Sequence, residues 1–154
     1  MATWHWRTFQ ELTLEELYEI LRLRQDVFIL EQKCLYQDID EQDQQAQHLL
    51  VLENGRLVVY LRMFPKGTLY PDAVSFGRLL ITKSERNKGL AKDAMRRLIT
   101  YLNDCKNQDP MIISAQTYLQ QFYRSFGFLE VGSPYDEDGV PHIKMIKYFD
   151  RNNL

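Results

Sequence analysis

The sequence predicts an α/β fold built on a mixed β-sheet, and three observations carry that prediction. Strand-like and helix-like segments follow one another in the order β-α-β-β-β-α-β-α-β-β. Asn54-Gly55 and Asp138-Gly139 have the composition of tight turns between such segments. Aromatic residues make up 12% of the 154, an excess that favours a substantial sheet or a pocket walled by rings. No repeat, low-complexity tract or charge block divides the chain, so one domain over residues 1–154, large enough for its own core, is expected.

Each element has its own justification. Trp4, Trp6 and Thr8 share one face of a short extended segment, the first strand. Thr13-Leu14-Glu15-Glu16 fits a capping box that opens a helix running to about Gln32, with Leu14, Leu17, Leu21 and Phe28 on one side. After an acidic loop, His48 to Glu53 and Arg56 to Phe64 form a hairpin about Asn54-Gly55. Pro65, Gly67 and Pro71 mark a loop before a strand at Val74 to Thr82. A helix of about four turns follows, with Leu90, Ala94, Leu98 and Leu102 inward and Lys92, Arg96 and Arg97 outward. Met111 to Gln116 suits a buried strand, and a helix over Tyr118 to Phe126 stops at Gly127. Strands at Phe128 to Gly132 and His142 to Tyr148 close the chain.

Composition removes several classes of function. The uncharged stretch Met111 to Tyr123 is far shorter than a membrane span, so no membrane partner is expected. With 19 basic against 21 acidic side chains, no footprint for nucleic acid stands out. Cys34 and Cys105 form no C-x-x-C pair, and no histidine or cysteine cluster forms a metal set. The N-terminus lacks the apolar region of a secretory signal, and a reducing cytoplasm is the plain reading.

Chemistry is concentrated in Ser75 to Arg97. A strand there runs through a turn into a helix whose first residues are Arg86-Asn87-Lys88-Gly89-Leu90-Ala91. Free N–H groups and the positive end of the helix dipole converge at such a start. Gly89 admits close approach of a ligand, Arg86 and Lys88 add cationic charge, and small Ala91 leaves the next turn uncrowded. That describes a phosphate cradle, although a plain strand–turn–helix with a chance glycine has the same pattern. The spacing is neither a Walker loop nor a dinucleotide fingerprint.

The R-x-x-G-x-A spacing after Leu79-Leu80-Ile81 resembles the acyl-CoA motif of the GNAT superfamily of N-acetyltransferases. Gln116 to Phe128, with its Tyr123 and closing Gly127-Phe128, resembles that superfamily's second motif, with Gln116 where many members have Asn. LRLRQDVFILEQKCLYQDIDEQD and DEDGVPH are similar to the ElaA-like branch, so the resemblance covers nearly the whole chain. It implies a central twisted mixed sheet flanked by helices, acetyl-CoA as donor and no metal. The backbone of Leu79 and Ile81 would pair with the pantetheine arm, and an N–H near Leu80 or Ile81 would polarise the thioester carbonyl. Arg86, Asn87, Lys88, Gly89, Leu90 and Ala91 would hold the pyrophosphate, with Gln116 as a further donor contact.

Tyr123 is the implied general acid for the departing thiolate; its pattern alone equally fits an aromatic wall with Phe122 and Phe126. Arg24 falls inside the apolar stripe of the first helix, where it either reaches a substrate or bridges an internal carboxylate. Glu31, one turn beyond Phe28, is the first candidate base or else the partner of Arg24, and His142 is the second candidate base. His48 reads as a structural histidine. Asp38, Asp40, Glu41 and Asp43, with Asp136, Glu137 and Asp138, are either solvated loop charges or the walls of a site for a cationic amine, Asp40 being the substrate contact.

The expected reaction is acetyl transfer to the primary amine of a small molecule or peptide, by direct attack on the thioester. Two rivals share the scaffold. One is an acyl-homoserine-lactone-synthase-like acyltransferase, suggested by Arg24-Gln25-Asp26-Val27-Phe28. The other is a non-catalytic acyl-CoA-binding module. The reading leaves open a homodimer through the C-terminal strands.

Overall fold

The computed structural model describes residues 1–149, and the chain packs there as two compact units. The first comprises residues 1–64 and 77–94; the second comprises residues 65–76 and those from 95 onward.

In the first unit, β1 (Ala2–Thr8) pairs antiparallel with β2 (Gln47–Glu53), and β2 with β3 (Arg56–Phe64). β4 (Ser75–Ile81) follows β3 in sheet order. Asn54 and Gly55 both take positive φ, 51° and 76°, the backbone of a two-residue turn matched to strand twist. α1 (Leu14–Arg24) opens on the predicted capping box: Glu16 N–H donates to Thr13 Oγ1 at 3.0 Å, and Thr13 N–H to Glu16 Oε1 at 2.9 Å. The predicted continuation to Gln32 is helical but not α, since Gln25–Glu31 is a π-helix.

The buried stripe of α1 also differs from the predicted one. Leu14 is 84% exposed, and the face that packs inward carries Ile20, Leu23, Arg24 and Val27. Two stripes overlap in this leucine-rich segment, and the π-helix, which lengthens the hydrogen-bonded ring, rotates the residues after Arg24 away from a 100° projection. Ile20, Leu23 and Val27 join Leu50, Leu57, Tyr60 and Leu80 in one core.

In the second unit the strand order is β5 (Met111–Gln116), β7 (Val140–Lys147), β6 (Leu129–Glu137), all antiparallel. A parallel bridge joins Val74 to Met111 and supplies the mixed character of the strand pairing. The strands therefore assort into a four-stranded and a three-stranded sheet, a division set by non-local pairing that local pattern does not encode. β6 and β7 meet at Asp138-Gly139, both at positive φ, and both extend further toward this turn than predicted. α2 (Leu90–Asp104) buries Ala94, Met95, Leu98 and Leu102 and exposes Lys92, Arg96 and Arg97.

The helix predicted over Tyr118 to Phe126 resolves into a 3-10 turn, Thr117–Leu119, and a short α3, Gln120–Arg124. Gly127 ends it at φ 92°, while Phe128 N–H returns to the Tyr123 carbonyl at 3.2 Å. Lys147 Nζ donates to the Phe126 carbonyl at 2.8 Å, a cation placed at a helix C-terminus.

Candidate active site

The cradle begins in β4. Leu80 is buried in the first unit's core while Leu79 and Ile81 are only half-buried, so the alternation expected of a strand turns Leu80, not its neighbours, inward. Ahead of them Arg78 takes φ 53°, a left-handed residue inside a strand that interrupts the regular extended backbone. Residues 86–89 form a turn, and the helix starts at Leu90, later than the sequence reading had it. Within that turn Asn87 and Gly89 have φ of 65° and 79°. Left-handed residues alternating with ordinary ones aim successive N–H groups into a concavity, the backbone geometry of an anion nest. A Cβ at Gly89 would meet no protein atom within 4 Å, so glycine is required there by φ and not by crowding.

Both cations of the cradle carry carboxylate partners. Arg86 donates from Nε to the Ile81 carbonyl at 3.0 Å, and its Nη2 lies 2.7 Å from Glu31 Oε2. Lys88 Nζ is 2.9 Å from Glu85 Oε2. Glu31 therefore partners Arg86 and not Arg24. The Arg86 hydrogen bond holds its carboxyl below the ordinary value, which makes it a weak proton acceptor.

Arg24 is sealed in the first unit, with no exposed side-chain surface. Its Nε donates to Asp38 Oδ2 at 2.9 Å and its Nη1 to Asp43 Oδ1 at 2.6 Å. Geometry thus puts Arg24 in the internal-bridge alternative. Asp43 also accepts from Arg62 at 2.8 Å, Arg62 reaches Asp40, and Arg78 Nε lies 2.8 Å from Asp38 Oδ1. Burial opposes the Asp40 charge, but the Arg62 hydrogen bond outweighs it, and Asp40 is held down to about 2. Arg24 and Asp40 are therefore engaged within the chain. The first acidic loop is not a set of solvated charges: Asp38 and Asp43 are buried. His48 Nε2 donates to the Asp43 carbonyl (2.9 Å) and its Nδ1 hydrogen-bonds Tyr60 Oη (2.6 Å), as a structural histidine should. The sequence reading missed Arg62 and Arg78; the signal was an arginine inside the apolar run of β3.

In the second unit Tyr123 is 7% exposed and sits edge-on to Phe76, Phe122 and Phe128 at centroid distances of 5.9, 5.2 and 5.9 Å. Burial pushes its phenol above the ordinary value. Gln116 ends β5 with His142 as its cross-strand partner. His142 is 8% exposed; its Nδ1 meets the Val140 carbonyl at 2.8 Å and its Nε2 lies 3.2 Å from Glu137 Oε2. Glu137, of the second acidic cluster, and Ser114 and Tyr135, which the sequence pattern did not single out, complete a polar group about it. Among the described residues no cluster of His, Cys, Asp and Glu has a metal-holding arrangement, and no helix is long and apolar enough to cross a membrane.

Residues 11–149 match the family model of the acetyltransferase (GNAT) domain. The chain belongs to the GNAT acetyltransferase family. Among its relatives is the protein ElaA of Escherichia coli, 36% identical over 149 residues, 96% of this chain and 97% of that one. The crystal structure of E. coli ElaA superposes with a TM-score of 0.88 at 35% identity, covering 96% and 99% of the two chains. An acyl-CoA N-acyltransferase from Pseudomonas aeruginosa gives a TM-score of 0.90 at 35% identity with the same coverage. The CoA-dependent acyl-homoserine lactone synthase BjaI shares the fold alone, at TM-score 0.80 and 18% identity over 100% of this chain and 86% of its own. This GNAT member is thus an ElaA-like acyltransferase in fold and family.

Proposed function

We propose that the protein is an acetyl-CoA-dependent N-acetyltransferase acting on a primary amine by direct attack. The observation that carries the reading is the nest at Arg86 to Ala91. Left-handed Asn87 and Gly89 open a fifteen-residue helix, with an arginine anchored to the backbone of the preceding strand. Such a site suits the pyrophosphate of a CoA donor. Leu79, Leu80 and Ile81 supply backbone to the pantetheine arm and thioester carbonyl, and Gln116 adds a donor contact. Two cysteines in 154 residues, with no C-x-x-C pair, fit a reducing compartment, and we place the protein in the cytoplasm.

In the proposed reaction the amine nitrogen bonds to the thioester carbon and the C–S bond breaks. An arriving ammonium loses two protons. The first goes to His142 Nε2 and on to solvent; Nδ1 is already anchored, and a proton at Nε2 gains Glu137 as its partner. Glu31 is less suited, being held ionised by Arg86. Tyr123 gives its proton to the leaving sulfur, and the second amine proton restores the phenol. Because burial raises Tyr123, that transfer is concerted with C–S cleavage and not a prior ionisation.

The acyl-homoserine-lactone alternative rested on Arg24 to Phe28, and packing accounts for that stretch: Arg24 binds two aspartates and Val27 lies in the core. Thermal-shift titration with acetyl-CoA, CoA and S-adenosylmethionine tests the proposal. At 100 times its dissociation constant a ligand stabilises by about 2.7 kcal/mol, a rise of roughly 5–10 °C at this length. A rise with the two CoA ligands alone is expected. No rise with either at millimolar concentration overturns the donor assignment. Donor binding without CoA release across an amine panel would favour the non-catalytic module.

A further inference from the structure

The register of β5, β7 and β6 sorts their side chains onto two faces. Ile113, Ala115, Ile143 and Met145 occupy the buried one. Ser114 lies opposite Lys144, Gln116 opposite His142, His142 opposite Tyr135, and Glu137 opposite Val140, all on the other face. A merely solvated face carries independent polar groups. This one is wired.

Glu137 is the hub. Its Oε1 accepts from Ser114 Oγ at 3.1 Å and its Oε2 faces His142 Nε2 at 3.2 Å, while Ser114 Oγ also shares a hydrogen bond with Tyr135 Oη. The His142 ring stacks on Tyr135 with centroids 6.3 Å apart. The carboxylate is thus fixed in position by Ser114, and by His142 once Nε2 carries a proton, yet its side chain stays 46% exposed, so lone pairs remain open to an incoming donor. Tyr135 is tied to the same group through its hydroxyl on Ser114. Tyr70 is raised above the ordinary phenol value by burial and by the charges of Tyr135 and Glu137, so the negative potential of this group reaches its ring. Lys144 Nζ lies 5.6 Å from the Tyr70 ring centroid, an ammonium of the chain itself resting on that ring.

We propose that this face binds the acceptor as a cation, with the ammonium of a primary amine on Glu137, steadied by Ser114 and beside the ring of Tyr135. A fixed carboxylate beside a tyrosine ring selects an ammonium and repels an acceptor bearing its own carboxylate. His142 is then a positioning residue for Glu137 as well as the proton acceptor, because both the bound ammonium and Nε2 address one carboxylate. The inference rests on the acetyl-transfer reading for its chemistry, but not for its binding.

The test uses 1,4-diaminobutane and 4-aminobutyrate, equal in chain length and different in charge, with the full chain saturated by CoA. Calorimetry measures their binding, and thiol release from acetyl-CoA measures their turnover. Diaminobutane should bind at least tenfold more tightly than aminobutyrate. Glu137→Gln should weaken that binding and raise its KM about tenfold or more, leaving the KM of acetyl-CoA unchanged, and Glu137→Asp should recover part of the loss. Should the Gln variant fold poorly, Tyr135→Leu reads the aromatic contribution through the same KM. Equal binding to Glu137→Gln and wild type, a preference for aminobutyrate, or no binding of diaminobutane at millimolar concentration would each overturn the site. Diaminobutane held through Glu137 without thiol release would sustain the amine site and sink the transferase reading; thiol release indifferent to Glu137 would do the reverse.

Discussion

Replacing Arg24 with alanine separates a structural arginine from a substrate contact. The side chain has no exposed surface and bridges Asp38 and Asp43, both buried. Its removal turns a network of three arginines and three aspartates into one with a surplus buried negative charge. Breaking a buried pair from one side costs about 3–5 kcal/mol. Asp38 keeps Arg78 and Asp43 keeps Arg62, so the lower end applies, about 3 kcal/mol. At this chain length the melting temperature should fall by roughly 6–12 °C, and the urea midpoint by roughly 1–3 M. Arg24→Met with Asp43→Asn, which removes the charge surplus, should recover part of the loss. An Arg24→Ala protein within about 1 kcal/mol of wild type, yet poor in acetyl transfer, would refute the structural assignment and return Arg24 to the acceptor.

Three further outcomes follow from the geometry. Tyr123→Phe keeps the ring against Phe76, Phe122 and Phe128, so stability and the KM of acetyl-CoA should hold while kcat falls roughly 10²–10⁴-fold; unchanged kcat removes Tyr123 as the acid. Gly89→Ala has room for its methyl but not the backbone, and left-handed strain of about 1–2 kcal/mol should lower the melting temperature and weaken CoA binding together. Wild-type values for both would remove the nest argument. Asp40, depressed to about 2, contributes stability that is present above the unfolded carboxylate value near 4 and lost as pH falls toward 2. The advantage of wild type over Asp40→Asn, at most about 2 kcal/mol, should therefore shrink across that window in melts taken from pH 6 downward.

What was legible in the sequence is what local chemistry encodes. The Thr13–Glu16 box, the Asn54-Gly55 turn and the glycine after α3 each specify their geometry within four residues, and each appears as read. The turn before α2, proposed as the donor cradle, lies likewise within one contiguous hexapeptide. The partner of Arg24 was not legible, because Asp38 and Asp43 lie 14 and 19 residues away, and the acid nearer in helical phase, Glu31, went to Arg86 instead. The Ser114–Glu137–His142 group is still less local: three strands must pair in register before alternation alone places those residues on one face. Arg24 in the apolar stripe of the first helix and Arg62 inside an apolar strand were the visible signs that a buried ionic network existed.

That network raises a question of design, since apolar residues of equal volume often stabilise a core as well as buried ion pairs. Arg78 supplies an answer. It is the left-handed residue of β4, one step before Leu79, and its guanidinium is held by Asp38 at 2.8 Å, by Asp40 at 3.4 Å and over the Tyr36 ring at 5.0 Å. The ion pairs secure a backbone conformation that costs a non-glycine residue about 1–2 kcal/mol, and they do so where the strand is proposed to meet the donor. Arg78→Gly separates the two contributions. Glycine accepts the positive φ without strain, which offsets much of the loss of partly exposed ion pairs, so the melting temperature should move little. The backbone, no longer anchored to the aspartates, should bind acetyl-CoA at least tenfold more weakly. Undiminished affinity in Arg78→Gly would show that the network serves stability alone and leave the conformation of β4 to the sheet itself.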